Sequence, residues 1–152
     1  MEIHVSSEEM DVAKDLARGI QPTFWISWRI NGNCYPDAKW IDFGTVLLNW
    51  WIQVCEQLGD GAMFGTFMFM DGPYEIVAMR SKGGMIALRP NGAYDDGRTE
   101  WTVTLLDLVN ALSAAIAKCI VCLEPYSAAA FHVAMLRSDE TALANVRATV
   151  SP

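Results

Sequence analysis

Between residues 63 and 104 the chain breaks into short β-prone runs separated by glycine-containing turns. No other feature constrains the fold as strongly. The runs cover 63–70, 74–80, 85–89 and 100–104. Asp71-Gly72-Pro73 closes the first, and Ser81-Lys82-Gly83-Gly84 closes the second. Turns this short leave no room for crossover helices, so successive strands must pair antiparallel in a meander. The segment PNGAYDDGR before the last run is a longer loop.

On either side of this block the hydrophobic period changes. Residues 45–58 (TVLLNWWIQVCEQL) place Val46, Trp50 and Val54 on one stripe and Leu47, Trp51, Cys55 and Leu58 on the next, as in a helix. Asp42 stands near its start, where a carboxylate complements the helix dipole. Residues 105–123 form a second, strongly apolar helix; Thr104 and Asp107 suit a capping box with Asp in place of Glu. Asp107, Asn110, Ser113 and Lys118 within it are costly in lipid, so it reads as a buried helix. Residues 127–137 and 139–148 continue as helix, with Ser138 and Asp139 capping a break between them. Near the N-terminus, residues 6–19 read as a short surface helix capped by Ser6 or Ser7, which leaves His4 on a fraying end. Residues 24–30 (FWISWRI) alternate as a strand, with Phe24, Ile26, Trp28 and Ile30 on one face. Asn31-Gly32-Asn33 ends that strand, and residues 33–40 follow as a loop. Strands gathered in the middle and helices at the ends predict an α+β fold: an antiparallel meander sheet against a long central helix, with a helical C-terminal third. The 152 residues suit one domain spanning 1–152.

Charge narrows the partners. The net charge of -7 opposes nucleic-acid binding, which draws on Lys and Arg, and opposes an anionic membrane. Residues 40–79 contain no Lys or Arg but carry Asp42, Glu56, Asp60, Asp71 and Glu75. A face built from them would steer a cationic partner. The first residues, MEIHVSSEEMDVAKDL, lack a basic-then-apolar leader pattern. The chain is therefore expected in the cytoplasm, with Cys34, Cys55, Cys119 and Cys122 reduced.

Chemistry-bearing patterns are few. Cys119-x-x-Cys122 lies within an apolar helical run and lacks the further paired ligands a zinc site needs, so packing is its expected role. His4 and His132 have no nucleophile motif to serve, and Gly59-x-Gly61 follows a helix instead of opening one. Asp95, Asp96 and Glu100 cluster around Arg98 without calcium-loop spacing. No catalytic residue, metal or cofactor is assigned. The six tryptophans are too many for one buried face; Trp40 and Trp25 are the candidates for exposure.

Two stretches carry a resemblance. FWISWRINGNCYPDAKWIDFGTVLLNWW joins an aromatic strand, a Tyr-Pro loop, Trp-x-Asp-Phe and a helix with a Trp pair; FMFMDGPYEIVAM runs a strand into Asp-Gly-Pro-Tyr and back. Together, over residues 23–80, they resemble small bacterial immunity proteins encoded beside polymorphic toxins of contact-dependent, Rhs or type VI systems. The resemblance implies a cytoplasmic, non-catalytic protein that binds one toxin domain and covers its active site. The cognate toxin domain is expected to be basic, and a nuclease would fit. Loop placement and charge nominate Asp60, Asp71, Asp95, Asp96 and Glu100 as contacts, with Trp40 or Tyr94 as anchor. The alternatives are a small enzyme or ligand-binding protein with an aromatic-lined pocket, and an effector chaperone or adaptor.

Overall fold

The computed structural model describes residues 1–92 and 99–150. The elements run β1 (Glu2–Ser6), α1 (Val12–Ala17), β2 (Phe24–Ile30), β3 (Asn33–Tyr35), β4 (Ile41–Asp42), α2 (Gly44–Gly59), β5 (Phe64–Met68), β6 (Glu75–Arg80), β7 (Met85–Asn91), β8 (Trp101–Thr104), α3 (Leu105–Leu123) and α4 (Ala130–Val150). The fold is α+β, as the clustering of strands and helices predicts. The expected meander is present as the sheet β5-β6-β7-β8, with every pair antiparallel.

A second sheet accompanies it. In this first sheet along the chain, β2 is the central strand; it pairs with β1 on one side and with β3 and β4 on the other. Two expectations fall here. Residues 2–6 are a strand, so His4 is paired opposite Ser27 and not on a fraying end. The helix expected over 6–19 shrinks to Val12–Ala17, and its cap is Asp11, whose carboxylate accepts from the Lys14 N–H at 3.0 Å. Residues 33–40 are likewise not all loop. Asn31 and Gly32 take positive φ (52° and 83°), the backbone of a two-residue hairpin turn, and return the chain as β3.

α2 is the hub. Its buried side, Leu47, Leu48, Trp51, Cys55 and Leu58, meets both sheets and both long helices. Trp28 of the first sheet touches Trp51 of α2 (ring centroids 5.5 Å apart) and Phe67 of the second sheet (4.8 Å). Gly65 allows β5 to lie this close to α2, because a Cβ there would stand 2.6 Å from Val54 Cγ1. α3 begins with the predicted capping box: the Thr104 hydroxyl accepts from the Asp107 N–H, and the Asp107 carboxylate accepts from the Thr104 N–H. α3 has the length and apolar character of a membrane span, but half of it is buried against the rest of the protein.

α4 runs unbroken through Ser138 and Asp139, where a capped break was expected. Asp139 is instead buried, 6% exposed, and accepts a hydrogen bond from Asn49 Nδ2 of α2 at 2.9 Å. A tertiary partner thus satisfies a side chain that in isolation would favour a cap.

Candidate functional site

The two sheets differ in how they meet solvent. In β2 both faces are covered, and six of its seven residues are buried, only Arg29 being half-buried. Trp25, a candidate for exposure, is 7% exposed and lies beneath the Lys39 ammonium, 4.4 Å from the ring centroid. The exposed tryptophan is Trp50 on α2, at 39%. Trp40 is half-buried against Tyr74 (4.8 Å) and Phe69 (6.4 Å), and its Nε1–H donates to Asp42 Oδ2. These contacts give Trp40 a packing role.

The second sheet buries its inner face and, among the described residues, leaves large apolar side chains of its outer face exposed. Phe67, Ile76, Ala78, Ile86, Leu88, Trp101 and Val103 point inward. The outward positions fall into cross-strand rows that the register defines. One row runs Phe64, Met79, Ala87, Thr102; the next Thr66, Val77, Arg89; the third Met68, Glu75, Asn91. A solvent-facing antiparallel sheet normally shows polar residues outward. Here the β5–β6 half shows Phe64 (72% exposed), Met68 (52% exposed), Val77 and Met79. Met85 on β7 and the exposed Met70 just past β5 extend the patch. An open apolar face of this kind is characteristic of a surface that another molecule covers.

Carboxylates stand around it. Asp71 is exposed in the turn leaving β5; Asp60 is exposed at the C-terminal end of α2. Glu75 occupies the third row, held by Asn91 Nδ2–H at 2.8 Å. On the far side Glu100 pairs with Arg89 at 2.5 Å. Among the described residues Arg89 is the one base at the outward strand positions, and that pairing offsets its charge; Lys82 lies in the turn beyond β6. The structure therefore brings Asp71 and Glu100 to the edge of one sheet face, whereas Asp60 lines a groove between α2 and α4 with Gly59, Asn145 and Thr149. Tyr94, Asp95 and Asp96 lie outside the described residues.

The apolar centre of this face was not among the residues expected from the sequence. The signal was present: Met63, Met68, Met70, Met79 and Met85, five of the eight methionines, fall within 63–85, and the run MFGTFMFM does not alternate with polar residues. Both observations indicate a sheet whose outer face is also apolar.

A cleft of about 270 Å³ opens between the sheets, lined by Cys34, Tyr35, Pro36, Tyr74, Pro90 and Trp101 among others. The Tyr35 hydroxyl stands 2.5 Å from the Asn91 carbonyl and 3.0 Å from the Glu75 carbonyl, either of which can take its single proton, and accepts from the Glu75 N–H. It is thus spent on backbone. Among the described residues no three His, Cys, Asp or Glu side chains converge as metal ligands would. Burial pushes the Cys55 thiol up to about 12, with Glu56 adding to the effect, and raises Cys119 as well, with Cys122 adding to it. Cys122 accepts from Ser7 Oγ–H at 3.3 Å. Burial lowers both histidines, helped at His4 by Arg29, which disfavours their charged forms. No protein-family model, curated protein or solved structure matches this chain.

Proposed function

We propose that the chain is an immunity protein: a cytoplasmic, non-catalytic inhibitor that binds a cognate, basic toxin domain and covers its active site. One observation carries this reading, the open face of the β5–β8 sheet with its apolar centre and acidic rim. Interface cores are enriched in aromatic residues and methionine, and complementary charge at the rim speeds encounter and rejects wrong partners. The Lys- and Arg-free stretch 40–79 supplies this half of the face, which supports a cationic target. A nuclease fits such a target, because enzymes that hold phosphates are themselves basic.

The test is recovery of tagged protein from its own cells. The expected result is one stoichiometric protein that is toxic when expressed alone and harmless when co-expressed with this chain. A stoichiometric partner whose activity the chain leaves intact would replace this reading with that of an effector chaperone or adaptor. A second reading, a small-ligand binder, rests on the aromatic cleft beside Cys34, Tyr74 and Trp101. It would take precedence if no protein partner were recovered and an aromatic ligand shifted the Trp101 fluorescence.

A further inference from the structure

The open sheet face also indicates what kind of structure covers it. In a layered α+β fold, an apolar sheet face is completed by a second sheet or by a helix lying across the strands. The inner face of β5–β8 is covered within this chain; among the described residues the outer face leaves Phe64 and Met68 exposed and Val77 and Met79 half-buried. Methionine side chains rotate freely and reshape around a partner, which suits a surface that receives a helix in more than one orientation. The carboxylates of Asp71, in the turn after β5, and Glu75, opposite Met68 on β6, would meet the flank of such a helix. A second copy of this chain, of net charge -7, would bring like charge to the same rim.

We infer that the outer face of β5–β6 receives a basic amphipathic helix of the partner protein, with Phe64 and Met79 meeting its apolar stripe and Asp71 and Glu75 meeting its Lys and Arg residues. This deepens the immunity reading and rests on it for the identity of the partner, but the recognition chemistry is tested separately.

The probe is a fluorescein-labelled amphipathic peptide of about 18 residues built from Leu and Lys, a length that spans the sheet as a helix. Its counterpart is built from Leu and Glu. Fluorescence anisotropy is read against the full chain. The Leu/Lys peptide is expected to bind, and binding should weaken with added salt. Phe64→Lys and Met68→Lys, both at exposed positions that carry little of the fold, should weaken it at least about tenfold. Phe131→Lys, at an exposed apolar residue on α4, should leave it unchanged. Equal binding of the Leu/Glu peptide, or unchanged binding by Phe64→Lys, would overturn the inference. So would self-association, seen by sedimentation, that Phe64→Lys abolishes, since it would assign the face to a second copy. If Phe64→Lys still neutralises a cognate toxin, the immunity reading stands and this surface falls. If the peptide binds at the face and the recovered partner is no toxin, the surface stands and the immunity reading falls.

Discussion

The Asp42 carboxylate, in β4 of the first sheet, accepts a hydrogen bond from the backbone N–H of Met70, just past β5 of the second, at 3.0 Å. The same Oδ2 accepts from Trp40 Nε1–H at 3.3 Å, and Oδ1 accepts from the Phe43 N–H at 2.8 Å, at the start of α2. One side chain, 3% exposed, thereby joins two sheets and a helix. Asp42→Ala leaves two backbone donors and an indole N–H without this acceptor. A loss of about 2–4 kcal/mol is expected in urea unfolding. Asp42→Asn, which keeps one acceptor oxygen, should cost less. A loss below about 1 kcal/mol for the alanine variant would mean that water replaces the carboxylate.

The capping box at α3 predicts a cost that depends on pH. Asp107 is held below the usual carboxylate range, first by the Thr104 N–H and then by the Thr104 hydroxyl. A carboxyl depressed by folding contributes stability above its unfolded value, and that contribution is lost as pH falls through the folded value. Thr104→Ala should therefore cost about 1 kcal/mol at pH 7 and less near pH 2. Thermal melts at the two pH values check it, and equal penalties would remove the carboxylate from the account.

Asp139 predicts the opposite sign. Burial raises its carboxyl above the ordinary value, the Asn49 hydrogen bond works against that rise, and Glu56 adds to it. The Oδ2 atom is buried and has no hydrogen-bond partner among the described residues. A carboxyl raised by folding favours the folded state when protonated, and that stability is lost as pH climbs from the unfolded value of 3.8 through the folded one. Asp139→Asn keeps an acceptor for Asn49 and removes a charge facing Glu56. It should gain about 1 kcal/mol at pH 7, a gain that vanishes below the unfolded carboxyl value. Chemical denaturation across pH 3 to 8 measures this; a destabilised variant at pH 7 would show that the carboxylate has a role in the fold.

Thiol reactivity separates the cysteines by burial. Cys34 is exposed, whereas Cys55 and Cys119 are buried with thiols raised by their surroundings. A disulfide reagent needs both access and thiolate. In the native protein Cys34 should react first, and Cys34→Ser should remove the fast phase. Cys55 and Cys119 should react only on unfolding. Fast labelling of Cys119 would show that α3 opens locally.

The outward methionines show where sequence reading succeeds and where it stops. Alternation in FWISWRI and the stripes of residues 45–58 are local, because side-chain period follows directly from backbone period. β2 and α2 were legible for that reason, and so was the capping box, whose atoms lie within four residues. That Asp71 and Glu100 are exposed was legible from their turn and strand-end positions. The run MFGTFMFM signals an apolar outer face, but only the β5–β6 register decides which residues meet there, Phe64 beside Met79.

By itself the sequence determined the α+β class, the helices α2 and α3, the strand β2 and the meander β5–β8, since each rests on periods and turns confined to a short stretch. Tertiary structure alone decided the rest. It paired EIHVS with residues 25–29, buried Trp25 under Lys39 while exposing Trp50, and carried α4 through Asp139 by supplying Asn49 from ninety residues away. It also left one sheet face open. Burial and hydrogen-bond satisfaction depend on which distant elements come to lie alongside, and no local pattern encodes that.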